Sequence, residues 1–206
     1  MKNTFQSIVS VSWVAVGLLL PGIAGAKVSE QTLKNLNTAF QGESNAANRY
    51  VKFAEKADTE GHAQVAKLFR AAAAAEAIHR DTHKAAITGL GGTPNTFKLD
   101  AVEPGATADN LRAAIKGETY ERDTMYPEFL TVAKTDDAAA AIRTIEFALA
   151  AEKEHAKLYQ EALDNLGKNA KADYFVCQVC GMTVTEMPAK KCRSCRQSRD
   201  KYKMIS

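Results

Sequence analysis

Glu76-Ala77-Ile78-His79 and Glu152-Lys153-Glu154-His155 are two copies of one pattern, and the helix face on which they fall decides the reading of the chain. Residues three apart share a helical face. Around the second copy the apolar seam runs Ile142, Ile145, Leu149, Glu152, Ala156, Tyr159, Leu163 and Leu166, with a carboxylate where a core side chain belongs. Around the first, Val65, Leu68 and Ala72 lead to Glu76 and His79. Two more seams do the same. One reads Leu33, Leu36, Phe40, Glu43, Ala47, Tyr50, Ala54; the other runs from Leu111 and Ala114 through Glu118 and Glu121 to Met125 and Val132. A lone buried carboxylate costs on the order of several kcal/mol, so several together require positive charge. No Lys or Arg lies on these seams, which leaves a pair of metal ions as the economical counter-charge.

The seams predict four long helices. The first starts after a Ser29 cap and runs to about Ala57; the second ends at Thr88, before Gly89, Gly91, Gly92 and Pro94. The third is capped by Thr107 or Asp109 and ends near Lys134, and the fourth runs from Asp136 to Gly167. The stretch from Gly89 to Ala106 is long for a loop. It fits a ferritin-like four-helix bundle with one long crossover between its second and third helices. The fold class is therefore mainly α, with residues 27–167 as the bundle, 168–173 as a polar linker and 174–206 as a small cysteine-bearing domain.

The two halves repeat. Gly42-Glu43-Ser44 leads to Tyr50 and Phe53, and Gly117-Glu118-Thr119 leads to Tyr126 and Phe129. The second interval is one residue longer, which suggests a π-bulge near Glu121. Each half supplies one Glu and then a Glu-x-x-His, the inward-facing set of a di-iron or di-manganese carboxylate site. Five acids (Glu43, Glu76, Glu118, Glu121, Glu152) would face a charge of +4 or +6 on two ions, which suits a redox pair better than zinc. Glu121 has no acidic twin, because Ala46 occupies its place in the first half. That asymmetry would let one ion exchange Glu121 for His79 as its charge changes. Tyr50 and Tyr126 read either as core packing or as hydrogen-bond partners of a ligand or of bound peroxide. His62 and His83 read as surface residues.

In the tail, Cys177-Gln178-Val179-Cys180 and Cys192-Arg193-Ser194-Cys195 are paired knuckles whose four thiolates would bind one iron or zinc. Two disulfides are the alternative in an exported protein. Export is expected from Lys2, the apolar run Ile8 to Leu20, and Ala24-Gly25-Ala26, which together read as a signal peptide over 1–26 with a mature start at Lys27. The run is short for a membrane span, although an uncleaved anchor is the other reading, and the destination would be the periplasm. A net charge of only +3, without long basic runs, does not suggest nucleic acid.

Taken together, Gly42-Glu43-Ser44-x-x-x-x-Arg49-Tyr50, Glu76-Ala77-Ile78-His79, Gly117-Glu118-x-x-Glu121-x-x-x-Met125-Tyr126-Pro127, Glu152-x-x-His155 and Tyr174-x-Val176-Cys177-x-x-Cys180-Gly181 resemble the rubrerythrins over nearly all of the mature length. The resemblance implies a hydrogen peroxide reductase with two iron ions held by Glu43, Glu76, His79, Glu118, Glu121, Glu152 and His155. Tyr50 and Tyr126 would lie near the pocket. A third iron, or zinc, would be held by Cys177, Cys180, Cys192 and Cys195 in a rubredoxin-like domain. An electron-donor protein or reductase would refill it. Two departures stand out: the leader, and a second knuckle with Arg193 and Arg196 in place of the usual Pro and Gly. With the cage near mid-bundle and the tail leaving the end of the fourth helix, about 20 Å would separate the centres within one chain. That distance predicts a head-to-tail homodimer in which each tail serves its neighbour. The competing functions are ferritin-like iron oxidation and storage, and a non-enzymatic metal protein with a structural zinc tail.

Overall fold

The computed structural model describes residues 28–206. The expected leader and its cleavage site before Lys27 lie outside the described residues. Helices α1 (Glu30–Thr59) and α2 (Ala63–Gly89) form one antiparallel hairpin. Residues 90–106 cross over to α3 (Thr107–Tyr120), which continues through a π-helical turn (Glu121–Met125) into α4 (Tyr126–Thr135). Then α5 (Ala139–Asp164) returns along α3 and α4 and completes the four-rod bundle. Among the described residues no helix is long and apolar enough to cross a membrane.

Ser29 caps α1 as expected, accepting from the Thr32 backbone N–H. The two other expected starts are corrected. Ala106, not Thr107 or Asp109, is the cap position of α3, and its side chain makes no capping bond. Thr107 instead donates its N–H and hydroxyl to Glu60 Oε2, at 2.8 and 2.7 Å. Asp136 does not begin the last helix; it ends α4 and accepts from Ser29 N, Ser29 Oγ and Thr32 Oγ1. Each half of the repeat thus lends a carboxylate from one inter-helix turn to the start of the other half's first helix. These ties hold the rods at matching heights, and that sets the depth of the seam glutamates.

The π turn accounts for the unequal spacing. Tyr50 follows Glu43 by seven residues and Tyr126 follows Glu118 by eight. One residue accommodated in the wider turn brings Tyr126 to the bundle interior, where it is wholly buried like Tyr50.

Beyond Gly167 the linker doubles back along the bundle. Gln64 exchanges side-chain hydrogen bonds with the backbone of Ala172, and Lys67 pairs with Asp173. Strand β1 (Tyr174–Cys177) follows, flanked antiparallel by β2 (Thr183–Val184) and β3 (Tyr202–Ile205). Tyr174 and Val176 are built into the apolar core with Val65 and Leu68. The expected separation of about 20 Å within one chain therefore does not occur. From Gln64 to His79 the helix climbs about 22 Å, and the eight residues from Ala172 to Cys180, largely extended, can span about 26 Å. The tail reaches mid-bundle in its own chain, which removes the geometric reason for a neighbour's tail.

Candidate metal centres

At mid-height the four rods bring Glu43, Glu76, Glu118, Glu152, His79 and His155 together, each no more than 1% exposed. They form two overlapping sets, one of Glu43, Glu76, His79 and Glu152, the other of Glu76, Glu118, Glu152 and His155. Within each set the potential ligand atoms lie within 4.8 Å of one another. Glu76 and Glu152 belong to both, as bridging carboxylates between two ions would. His79 Nδ1 is 2.8 Å from Glu76 Oε2 and 3.2 Å from Glu152 Oε1; His155 Nδ1 is 2.9 Å from Glu152 Oε2 and 3.1 Å from Glu76 Oε1.

These residues fit a pair of cations. Glu43 Oε2, Glu76 Oε1, Glu118 Oε2 and Glu152 Oε1 are buried without a hydrogen-bond donor among the described residues. Without metal the cluster can reduce its charge only by taking up protons. Burial, then Glu152 and Glu76, lifts the Glu118 carboxyl to about 8, and burial with Glu76 and Glu152 lifts Glu43. For His79 burial alone acts downward, but Glu152 and Glu76 outweigh it and the ring is held well above its ordinary value. Glu152 is the exception: against the effect of burial, His79 and His155 keep it ionised. The oxygen-and-imidazole donor set suits iron or manganese.

Glu121 stands outside both sets. It opens the π turn, half-buried, and its carboxyl is pushed up first by burial and then by Glu43 and Glu118. The tyrosines pair across the repeat: Tyr50 donates to Glu118 Oε1 and Tyr126 to Glu43 Oε1. Both are thus hydrogen-bond partners of ligand carboxylates.

His83 is a correction. It is not at the surface but fully buried, and its Nε2 lies 3.1 Å from the Tyr126 hydroxyl. Its Nδ1 is 3.1 Å from Thr144 Oγ1. Since Tyr126 gives its proton to Glu43, His83 donates from Nε2. Burial, with His79 close by, lowers its pKa to about 3, so the ring is neutral. His83 follows His79 by four residues, as Tyr159 follows His155, so the two are counterparts. Tyr159, however, packs its ring 5.5 Å from Tyr50, and its hydroxyl has no partner among the described residues. One half of the cage is backed by a hydrogen-bonded imidazole and the other by an aromatic wall. His62, at the cap position of α2, is only half-buried.

In the tail all four cysteines are free thiols, and their sulfurs lie within 4.8 Å of one another, so the disulfide alternative is not realised. Cys177 and Cys195 Sγ are 3.7 Å apart, and Cys180 and Cys192 Sγ 3.6 Å. A tetrahedron with metal–sulfur bonds of about 2.3 Å has edges of about 3.8 Å, so the four thiols fit one ion. Hydrogen bonds from Cys180 and from nearby backbone lower the Cys177 thiol to about 5.

The two centres touch. His79 Nε2 lies 3.1 Å from the Cys180 carbonyl oxygen, and His155 Nε2 lies 2.9 Å from Thr183 Oγ1. Gly181 between them has φ +75°, and a Cβ there would sit 2.2 Å from His79 Nε2. On the rim, Arg193 pairs with Glu154 at 2.5 Å. Sequence reasoning missed Thr183 and the Cys180 carbonyl altogether. For His83 a signal existed, its position one turn beyond His79 on the same face.

Residues 34–163 match the rubrerythrin family. Rubrerythrin-2 of Clostridium acetobutylicum is 33% identical over 180 residues, covering 81% of this chain and 92% of that protein. Nigerythrin of Nitratidesulfovibrio vulgaris is 32% identical over 173 residues, covering 83% and 85%. A solved structure of fully reduced, all-ferrous nigerythrin superposes with a TM-score of 0.77 at 30% identity, covering 89% of this chain and 91% of that one. A Mycobacterium tuberculosis bacterioferritin, at 21% identity and a TM-score of 0.62, shares the bundle fold.

Proposed function

The chain belongs to the rubrerythrin family, with that family's di-iron site in the bundle and a four-cysteine site in the tail, and from this premise we propose that it reduces hydrogen peroxide to water. The observation that carries the proposal is the direct contact of the two centres, in which one imidazole joins the carboxylate cage to the cysteine knuckle. A cage with its own electron inlet suits turnover rather than storage.

When bound, the two bundle ions supply two electrons and a Lewis-acidic seat for peroxide, and the cysteine-held iron supplies electrons singly. The protein's part is positional. Reduction of hydrogen peroxide to two waters consumes two protons with the two electrons. Tyr126 and Tyr50 hold hydroxyl protons against Glu43 and Glu118 inside the cage. Phe53, Phe69 and Tyr159 wall off the Tyr50 side and exclude bulk water there. Glu121, outside the inner sets but sensing them, is the acid we assign to join or leave the cage during turnover. Cys180, its own carbonyl and the His79 ring give a short bonded route for electrons, and a separate electron-donor protein refills the cysteine centre.

Metal analysis and an anaerobic spectrum, followed by addition of hydrogen peroxide, test this. About three irons per chain are expected, with a red cysteine–iron band that is absent from the reduced protein and returns rapidly when peroxide is added. Zinc in the tail with only slow reaction overturns it. Ferrous oxidation by oxygen with mineral accumulation would mark a storage protein instead.

The reading extends to a periplasmic location, on the leader-like residues 1–26 alone. N-terminal sequencing of protein recovered from the cell envelope is expected to begin at Lys27; an intact Met1 in the cytosolic fraction overturns the location.

A further inference from the structure

Both cage histidines turn their Nδ1 atoms toward carboxylates, and the Nε2 of each meets the cysteine domain rather than the bundle. The Cys180 carbonyl can only accept, so His79 carries its proton on Nε2 and offers the Nδ1 lone pair inward. Thr183 achieves the same for His155 by a second step. Its hydroxyl donates to the Gly181 carbonyl at 3.3 Å, which leaves its lone pairs to accept from His155 Nε2. Thr183 is wholly buried, as are Cys177, Cys180 and Cys192. The segment is stitched to the knuckle through Gly181 N to Cys177 O (2.9 Å) and Cys177 N to Met182 O (3.0 Å).

We propose that the cysteine domain is a wall of the di-iron pocket, with Thr183 as a positioning residue. Filling the four-cysteine site orders residues 180–183, fixes both imidazoles with Nδ1 inward, and so raises the bundle's affinity for its own ions. Outer hydrogen bonds of this kind govern ligand tautomer and ring orientation, and their loss typically lowers metal affinity about 10- to 100-fold. The coupling is reciprocal, so ions in the bundle raise the affinity of the cysteine site by the same factor.

The test uses the full chain, stripped of metal and reduced, with one equivalent of Cd²⁺ as a thiolate-selective probe whose cysteine charge-transfer band confirms occupancy. Mn²⁺, a hard ion suited to the carboxylate cage, is then titrated and followed by electron paramagnetic resonance. The cadmium-filled chain should bind Mn²⁺ about 10- to 100-fold more tightly than the chain with empty cysteines. Thr183→Val should lose most of that gain while still binding cadmium, and Thr183→Ser should restore it. Equal Mn²⁺ affinity with and without cadmium in the parent chain overturns the proposal whether or not the variants fold. A Thr183→Val loss that Ser fails to restore also overturns it, since that would reflect packing rather than the acceptor. No peroxide enters the experiment, so its failure leaves the reductase reading standing.

Discussion

His79 Nε2 sits 3.1 Å from the carbonyl oxygen of Cys180, a residue 101 positions later, so one side chain is shared between a carboxylate cage and a thiolate knuckle of the same chain. Electron delivery is therefore expected within one chain. If a Cys177→Ser chain is mixed with a Glu76→Ala chain under conditions that allow subunit exchange, peroxide turnover should not exceed that of either alone. The first lacks a complete inlet and the second a complete cage. Recovery of turnover in the mixture would mean that tails serve neighbours.

The cage should release protons when it takes up metal. Glu118 is lifted to about 8, first by burial and then by Glu152 and Glu76, and Glu43 is lifted in the same direction. Near neutral pH these groups are protonated in the metal-free fold and must lose their protons to bind cations. Metal affinity should thus rise with pH across the window from about 4.5, the ordinary value, to about 8. For the metal-free chain the sign is opposite. The fold binds more protons than the unfolded chain within that window, so stability falls as pH rises through it. Glu152, held ionised, acts the other way only as pH falls below its ordinary value of 4.5, and His83, lowered to about 3, acts the other way up to its ordinary 6.5, so the fall in stability is steepest above that. Thermal midpoints of the metal-free protein between pH 5 and 8 check this, alongside proton release on Mn²⁺ addition. A metal-free midpoint that climbs over that range would refute the assignment.

Two residues that follow a cysteine pair share a backbone conformation and differ in what faces them. Gly181 has φ +75° and Arg196 has φ 63°. At Gly181 a side chain would collide with the buried His79 ring, so Gly181→Ala combines left-handed strain with overpacking and should cost about 2–4 kcal/mol. Freer proteolysis of the linker at 168–173 should accompany that loss. Arg196 is exposed and pays only the backbone strain, so Arg196→Gly should stabilise the tail by about 1 kcal/mol. Thermal or denaturant unfolding of the metal-loaded proteins separates the two, and equal effects would sink the explanation.

The cage was legible in the sequence because burial cost forces ionisable residues into a recognisable offence: Glu43, Glu76, Glu118 and Glu152 interrupt apolar seams. The π turn was legible from a repeat one residue out of register. What could not be read was long-range and carried by groups without a signature. The Cys180 carbonyl is a backbone atom, and Thr183 is one threonine among many. Thr107 and Asp136 looked like local helix starts, yet Thr107 is bonded to Glu60 and Asp136 to Ser29 and Thr32. The docked tail is not legible from helix lengths, because an extended strand covers more than twice the distance per residue.

His83 and Tyr159 occupy equivalent places in the two halves, and their replacements should act in opposite directions. His83 donates to Tyr126, which in turn holds Glu43, and Thr144 faces its other nitrogen. His83→Leu keeps the volume but removes one partner each from Tyr126 and Thr144, which retain Glu43 and Thr82, so it should destabilise by about 1 kcal/mol. It should also weaken metal binding on the Glu43 side. The Tyr159 hydroxyl is buried without a partner among the described residues, so Tyr159→Phe removes a polar atom that gains no hydrogen bond there. That change should be neutral or stabilising by up to about 1 kcal/mol. A double-mutant cycle makes the link specific: in a Tyr126→Phe background, His83→Leu should cost less than in the parent, by about 0.5 kcal/mol or more. Strict additivity would show that His83 acts through packing alone, and the hydrogen-bonded backing of the Glu43 side would then have no energetic content.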